Sequence, residues 1–239
     1  MLIAAACCPC PPLLVPEVAA GAAGELDALR AACADAIGVL AAARPDRLHV
    51  LGPAPAGGVG PYPQGAPGSF RGFGVDLSVR LAAAPEAPTG AARGLPPSLA
   101  VGAWLLERTG WSAAPVTGLG VDESLDTARC LESGRELAAG AERVALLVLG
   151  DGTACRTPKA PGSYDERAAG FDEAAARALG AADPAALTAL DARQARALRV
   201  SGRSGWQVLA GAARGAALTG RLLYEDAPYG VGYYVAAWS

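Results

Sequence analysis

The sequence contains a single histidine, a single methionine and few aromatic residues, and positive charge is sparse. Its 20 lysine and arginine residues are outnumbered by 23 aspartate and glutamate residues, giving a formal net charge of −3. The arginines are scattered singly along the chain. Nucleic-acid binding needs a clustered cationic surface that releases counterions from the phosphate backbone. The absence of such a cluster argues against nucleic acid as a partner.

Long apolar runs are also missing. No segment approaches the roughly 18 consecutive apolar residues of a membrane span. The stretch 1–7 lacks a positively charged start, and its apolar run is shorter than the roughly 7–15 residues of a signal-peptide core. We therefore expect a cytoplasmic protein without membrane contact, in which reducing conditions keep the six cysteines as free thiols.

The material for a buried core is plentiful, because hydrophobic residues make up 52% of the 239 residues and charged residues only 18%. This length suits one large domain and leaves little room for two, so residues 1–239 are predicted to form a single domain. Much of the apolar content is alanine, which buries little area per residue. The larger side chains of the predicted strands must then supply most of the hydrophobic stabilisation.

Predicted strands and helices alternate along most of the chain. The segments with strand character are 2–6, 48–51, 75–81, 114–119, 144–149, 216–224 and 232–237. The segments with helical periodicity are 16–43, 99–108, 125–139, 164–179, 184–197 and 204–213. This alternation predicts an α/β fold with a central, mostly parallel sheet and helices on both faces. Residues 53–74 are crowded with glycine and proline and are predicted to be a long loop.

Three loops follow predicted strands and depart from the alanine-rich background, at residues 8–12, 150–159 and 225–232. In open α/β sheets, loops at the carboxyl ends of the strands build the functional site. Plain tight turns are the alternative for each loop, since glycine and proline mark turns between all kinds of elements.

The segments CPCPPLLVPEV, GDGTACRTPKAPG and LLYEDAPYGVGYYVAAW contain these loops. In this order they resemble the class III extradiol ring-cleavage dioxygenase superfamily, in particular an uncharacterised bacterial branch of it. The likeness spans most of the chain, with residues 53–110 contributing least. It implies a single α/β domain of the extradiol dioxygenase type. Active members hold Fe(II) through two histidines and one glutamate, bind a catechol through both oxygens and use a further histidine as acid/base.

Transferred residue by residue, the resemblance leaves the iron site incomplete. Cys10 stands where related proteins carry the first histidine ligand, and residues 52–65 contain no second one. Asp151 lies in the loop that would carry the acid/base histidine, and Glu225 is the candidate for the carboxylate ligand. The single histidine, His49, lies within a predicted strand and is expected to pack there as a neutral residue. A two-histidine, one-carboxylate site cannot be assembled from one histidine.

Other chemistries at the same loops stay open. Cys8, Cys10 and Cys155, together with Glu225 or Asp151, are candidate ligands for one divalent metal, which is iron by resemblance and zinc or copper by ligand type. The alternative is that these cysteines are small buried residues at strand ends.

Cys10 is also a candidate nucleophile or redox thiol, provided that backbone N–H groups or a cation such as Arg156 or Lys159 lower its pKa. The segment 150–153 with the same two cations is a candidate anion-binding loop, and a plain turn is the alternative. The aromatic residues near the C-terminus line a pocket for a flat ligand or fill the core.

We therefore expect a diverged member of this superfamily, with an altered metal site or without ring-cleaving activity. If the protein is active, it is expected to be a non-haem, metal-dependent oxidoreductase in which Cys10 and Asp151 are the catalytic residues. The alternative is a non-catalytic scaffold on the same fold that binds a small molecule or another protein. Association of identical copies, common among soluble proteins, stays open.

Overall fold

The computed structural model describes residues 1–83 and 93–239. Its strands are β1 (Leu2–Cys8), β2 (Arg47–Pro53), β3 (Gly60–Tyr62), β4 (Pro67–Ser69), β5 (Ser78–Arg80), β6 (Val116–Val121), β7 (Val144–Leu149), β8 (Gly220–Asp226) and β9 (Tyr233–Trp238). Seven of them form the central sheet in the order β3-β6-β2-β7-β1-β9-β8, and β4 pairs with β5 in a separate small sheet.

The inner four strands of the central sheet, β6, β2, β7 and β1, run parallel. Strand β7 lies between β2 and β1, and all six of its residues are buried. A continuous apolar run of this kind is typical of a parallel strand covered on both faces. The outer strands β3, β9 and β8 pair antiparallel to their neighbours. The carboxyl ends of the four parallel strands therefore meet at one edge of the sheet.

Helices cover both faces of the sheet. Each face has its own hydrophobic cluster, which lies between the strands and the helices. One face carries α1 (Pro16–Ala19), α2 (Asp27–Ala42) and α3 (Pro97–Arg108). The other carries α4 (Thr127–Ala139), α5 (Arg167–Gly180), α6 (Pro184–Thr188), α7 (Ala192–Ala197) and α8 (Arg203–Ala212). This confirms the predicted single-domain α/β fold with a mostly parallel sheet. In the described ranges, no helix combines the length and apolar character that crossing a membrane requires.

Close approach between backbones compensates for the small size of the alanine side chains. Helices α4 and α8 touch through Gly134 and Gly211. A Cβ atom at Gly134 would overlap the Val208 carbonyl oxygen, and one at Gly211 would overlap the backbone of Leu131. Because dispersion attraction requires atoms at contact distance, such close packing lets small residues build a dense interior.

Several segments differ from their predictions. Within 53–74, predicted to be a loop, the chain forms β3 and β4, each of only three residues. Within 75–81, predicted to be one strand, only Ser78–Arg80 pairs, and its partner is Pro67–Ser69. Such short strands owe their existence to partners distant in sequence, which residue patterns do not reveal. The helix predicted over 184–197 is divided into two, because the Asp191 carboxylate caps α7 by accepting the Gln194 amide at 2.7 Å.

The two edge strands of the central sheet, β3 and β8, are irregular. Strand β3 contains Pro61, which has no N–H group to donate. Strand β8 pairs with β9 through a register shift between Leu222 and Tyr224. Such a shift marks a bulge, where the ladder of backbone hydrogen bonds is locally disrupted.

Candidate functional site

A cleft with a volume of about 940 Å³ opens at the carboxyl ends of the parallel strands. One wall is formed by the residues that follow β1, β2, β6 and β7, and the facing wall by α7, the loop after it and the start of α8. Its charged lining residues are Asp122, Glu123, Asp151, Arg196, Arg199 and Arg203. The cleft therefore lies where α/β sheets bind their ligands.

Asp151, at the end of the central strand β7, is fixed in this cleft by its own backbone and by Cys10. Its Oδ1 atom accepts the Cys10 amide at 2.8 Å, and its amide donates to the Ser201 hydroxyl at 2.9 Å. Its carbonyl oxygen accepts the Gly202 amide at 2.9 Å. The preceding residue has to be glycine, because a Cβ atom at Gly150 would overlap the Gly202 Cα. One hydrogen bond thus orients the carboxyl group, and two more fix the backbone that carries it.

Burial raises the pKa of Asp151 from its ordinary value of 3.8 to about 6. The hydrogen bond from the Cys10 amide lowers this pKa, and the nearby Glu123 carboxylate raises it further. The group therefore changes its protonation state close to neutral pH. A carboxyl group with these properties in a cleft can take up or give up a proton for a bound molecule.

Cys10 lies beside Asp151, but the pKa of its thiol is raised, whereas the sequence led us to expect a lowered one. Burial raises its pKa well above the ordinary value, and the Asp151 and Glu123 carboxylates raise it further. Neither of the two expected cations acts on it: Arg156 pairs with Asp172, and Lys159 is exposed beside Tyr229. The prediction that a neighbouring cation lowers the Cys10 pKa is therefore wrong, and a catalytic role for Cys10 stays a prediction.

The four predicted metal ligands do not converge. Cys10 lines the cleft, whereas Cys8 packs against Cys33 of α2. Cys155 belongs to the core on the other face of the sheet, where its Sγ donates to the Leu198 carbonyl at 3.5 Å. Glu225 is exposed on the outer strand β8.

Across residues 1–83 and 93–239, no three histidine, cysteine, aspartate or glutamate side chains are placed to hold a metal ion. These residues do not fit the iron site that the resemblance implies. The metal stays an untested prediction, and no step of the chemistry is assigned to it.

The loop after β7 does not form an anion-binding nest, because its amides already have acceptors within the protein. Gly150 donates to the Cys8 carbonyl, Gly152 to the Gly232 carbonyl and Ala154 to the Leu198 carbonyl, at 3.0, 2.7 and 3.0 Å. The remaining amides of residues 150–154 are bound by side chains. The prediction of anion capture by this loop is therefore wrong, and the loop is a structural connection.

A buried carboxylate, Asp172 of α5, anchors the same loop. Its oxygens accept the Thr153 amide at 2.9 Å and the Thr153 hydroxyl at 2.8 Å, and they form an ion pair with Arg156 at 3.0 Å. Asp172 is completely buried, whereas about a third of the Arg156 side chain is exposed. This network ties the loop that carries Asp151 to the helix beneath it.

His49 and most of the C-terminal aromatic residues pack within the fold and do not belong to the cleft. The His49 Nδ1 atom lies 2.6 Å from the Thr117 hydroxyl across two paired strands, and burial lowers the His49 pKa to about 4. It is a neutral strand residue, as predicted. Tyr233, Tyr234 and Trp238 are buried in the two cores and do not line the cleft.

Five charged cleft residues were not among the predicted site residues. Asp122 and Glu123 directly follow β6, so the rule that pointed to Asp151 would have identified them had it been applied to that strand end. Arg196, Arg199 and Arg203 come from a segment of short helices. No motif there sets them apart from the other scattered arginines.

Comparisons with known proteins support the fold. No family model matches the chain, and no curated protein matches it. The solved structure of an uncharacterized protein from Escherichia coli K12 is similar over 99% of both chains, with a TM-score of 0.58 and 14% sequence identity. At this identity the similarity concerns the fold alone, and it extends over the whole chain.

Proposed function

We propose that the cleft binds a small polar molecule and that Asp151 exchanges a proton with it. In this proposal the chain is a diverged relative of the extradiol dioxygenases that has lost iron-dependent ring cleavage. The observation that carries the proposal is the Asp151 carboxyl group, fixed at the end of the central strand and titrating near pH 6.

The arrangement of Asp151 supports acid–base chemistry more than thiol chemistry. A general acid or base is most effective when its pKa lies near the working pH, and it must be held within reach of the bound molecule. Asp151 lines the cleft and has a pKa of about 6, whereas burial raises the pKa of the neighbouring Cys10 thiol well above its ordinary value. The alternative of a non-catalytic binding protein uses the same cleft, and differs only in giving Asp151 no proton to transfer.

Replacing Asp151 with asparagine is expected to stabilise the protein at pH 7.5 and not at pH 4. Below the ordinary value of 3.8 the carboxyl group is protonated in both the folded and the unfolded state, so its charge has no effect. Above pH 6 the folded state carries a buried charge that the unfolded state exposes to water. The wild type therefore loses stability between about pH 4 and 6, by up to about 3 kcal/mol for a pKa raised by about two units.

Urea unfolding of the wild type and of Asp151→Asn at both pH values measures this difference. Asparagine retains an oxygen that accepts the Cys10 amide, so the variant isolates the effect of charge. Asp35→Asn, which removes an exposed carboxylate of α2, is the control for a change in net charge. An equal stability difference between wild type and Asp151→Asn at pH 4 and pH 7.5 would show that Asp151 does not titrate near neutrality.

The absence of an iron-type centre is tested by elemental analysis of protein expressed with iron, zinc and copper in the medium. We expect well below one metal ion per chain in the wild type, and the same content in Cys10→Ala and Glu225→Ala. About one metal ion per chain, lost in both variants, would instead establish a rebuilt metal site and contradict the proposal.

A further inference from the structure

Six charged side chains line the cleft, three of each sign, and no ion pair joins them. Arginines elsewhere in the described part of the chain do pair with carboxylates, as Arg156 does with Asp172. In the cleft the two signs come from different walls. The carboxylates follow β6 and β7, whereas the arginines belong to α7, the loop after it and the first turn of α8.

Arg203 and one oxygen of Asp122 are engaged in shaping a loop of the protein. Arg203 is buried, and it donates to the Glu123 carbonyl at 2.5 Å, the Leu125 carbonyl at 2.6 Å and the Gln207 side chain at 3.0 Å. The Asp122 carboxylate accepts both the amide and the hydroxyl of Ser124 at 2.7 Å. Both residues therefore shape the loop after β6. Arg203 is not free to bind a ligand, whereas the Oδ2 atom of Asp122 accepts no hydrogen bond from the described residues.

The remaining charged groups of the lining are the carboxylates of Asp122, Glu123 and Asp151 and the guanidinium groups of Arg196 and Arg199. Glu123 and Asp151 lie close enough for Glu123 to raise the Asp151 pKa, and burial raises the pKa of Glu123 itself. On the facing wall, Arg199 makes one long hydrogen bond, to the Pro161 carbonyl at 3.3 Å. Arg196 is exposed and, among the described residues, forms neither a hydrogen bond nor an ion pair.

We infer that the cleft takes a small zwitterionic molecule, with a cationic amine directed to Glu123 and Asp151 and a carboxylate directed to Arg196 and Arg199. This inference rests on the proposed function, since it specifies the ligand of the same cleft. A ligand with only a negative charge would meet the two carboxylates, and one with only a positive charge would meet the two guanidinium groups. A dipolar ligand is attracted at both ends, and the like charges disfavour its singly charged analogues.

Chemical-shift titrations with matched probes test this inference. The probes are 6-aminohexanoate, hexanoate and hexylamine, with glycine and 4-aminobutanoate as shorter zwitterions, at pH 7.5. We expect at least one zwitterion to shift the backbone amide signals of Cys10, Asp151 and Ser201. Its Kd should be at least about tenfold lower than that of hexanoate or hexylamine, a difference of about 1.4 kcal/mol.

Two variants separate the two ends of the ligand. Arg196→Gln combined with Arg199→Gln should weaken zwitterion binding about tenfold or more and leave hexylamine binding no weaker. Glu123→Gln should weaken zwitterion binding and leave hexanoate binding no weaker. Arg193→Gln is the matched control, because Arg193 is an exposed arginine of the same helix that does not line the cleft. A dispersed amide spectrum shows that each variant is folded.

The outcomes distinguish the two proposals. If hexanoate or hexylamine binds in the cleft as tightly as any zwitterion, or if the double arginine variant binds like wild type, the zwitterion inference is overturned while the cleft remains a binding site. If no probe shifts the cleft amides, the ligand class and the proposed binding function both fail.

Discussion

Replacing Gly134 of α4 with alanine is expected to lower the free energy of unfolding by about 3 kcal/mol or more, although alanine is the better helix former. The added methyl group would overlap the Val208 carbonyl oxygen and would lie 2.6 Å from the Ala212 amide nitrogen. Both atoms belong to the backbone of α8, so no side chain can rotate away and the helices must separate. For a chain of this size the melting temperature should fall by roughly 6–12 °C.

The matched control is Gly38→Ala in the middle of α2, where nothing lies within 4 Å of the added methyl group. This change should raise stability by about 0.5–1 kcal/mol, because glycine is the more flexible residue in the unfolded chain. Urea unfolding of both variants gives the comparison. Similar effects of the two substitutions would mean that α4 and α8 are not in backbone contact.

Replacing Asp172 with alanine is expected to cost about 3–5 kcal/mol, because each buried donor left without its acceptor costs about 1–3 kcal/mol and an ion pair is lost as well. The substitution leaves the buried Thr153 amide and hydroxyl without their acceptor and leaves Arg156 without its carboxylate. Because Thr153 lies two residues after Asp151, the loop at the cleft should loosen as well. Amide hydrogen exchange over residues 150–156 measures that local effect, and urea unfolding measures the global one.

Glu173→Ala is the control for Asp172→Ala, since Glu173 is the next residue of α5 and its carboxylate forms an exposed ion pair with Arg177. Exposed pairs of this kind contribute about 0.3–0.5 kcal/mol. Asp172→Asn retains acceptor oxygens without the charge and should fall between the two. Equal losses for Asp172→Ala and Glu173→Ala would show that the Asp172 network does not anchor the loop.

The parts of the fold that follow from local pattern were predictable from the sequence. The apolar run at 144–149 is β7, the most buried strand of the sheet, and the periodic segment 99–108 corresponds to α3. Which strands pair, and in which direction, was harder to predict from the sequence. The antiparallel pairing of β8 and β9 and the three-residue strands β3 and β4 depend on contacts between segments far apart in the sequence.

The candidate site was predictable where it depends on strand ends. Asp151 and Cys10 both follow parallel strands and both line the cleft. Glu225 was assigned through the resemblance, and Cys155 as a thiolate in a loop that follows a strand. The structure places one on an outer strand and the other in the opposite core, because a loop can follow a strand without turning its side chains toward the cleft. The arginines of the facing wall could not be predicted, since they are positioned only when α7 packs over the strand ends.

The irregularity of the two edge strands, β3 and β8, affects how copies of the chain can associate. A sheet that ends in a flat, fully hydrogen-bonding strand offers a template on which another chain adds a strand, the first step toward edge-to-edge aggregates. Here one border is interrupted by Pro61, and the other by the bulge between Leu222 and Tyr224. Neither edge of the seven-stranded sheet therefore offers the flat, uninterrupted strand on which a second chain would pair most readily.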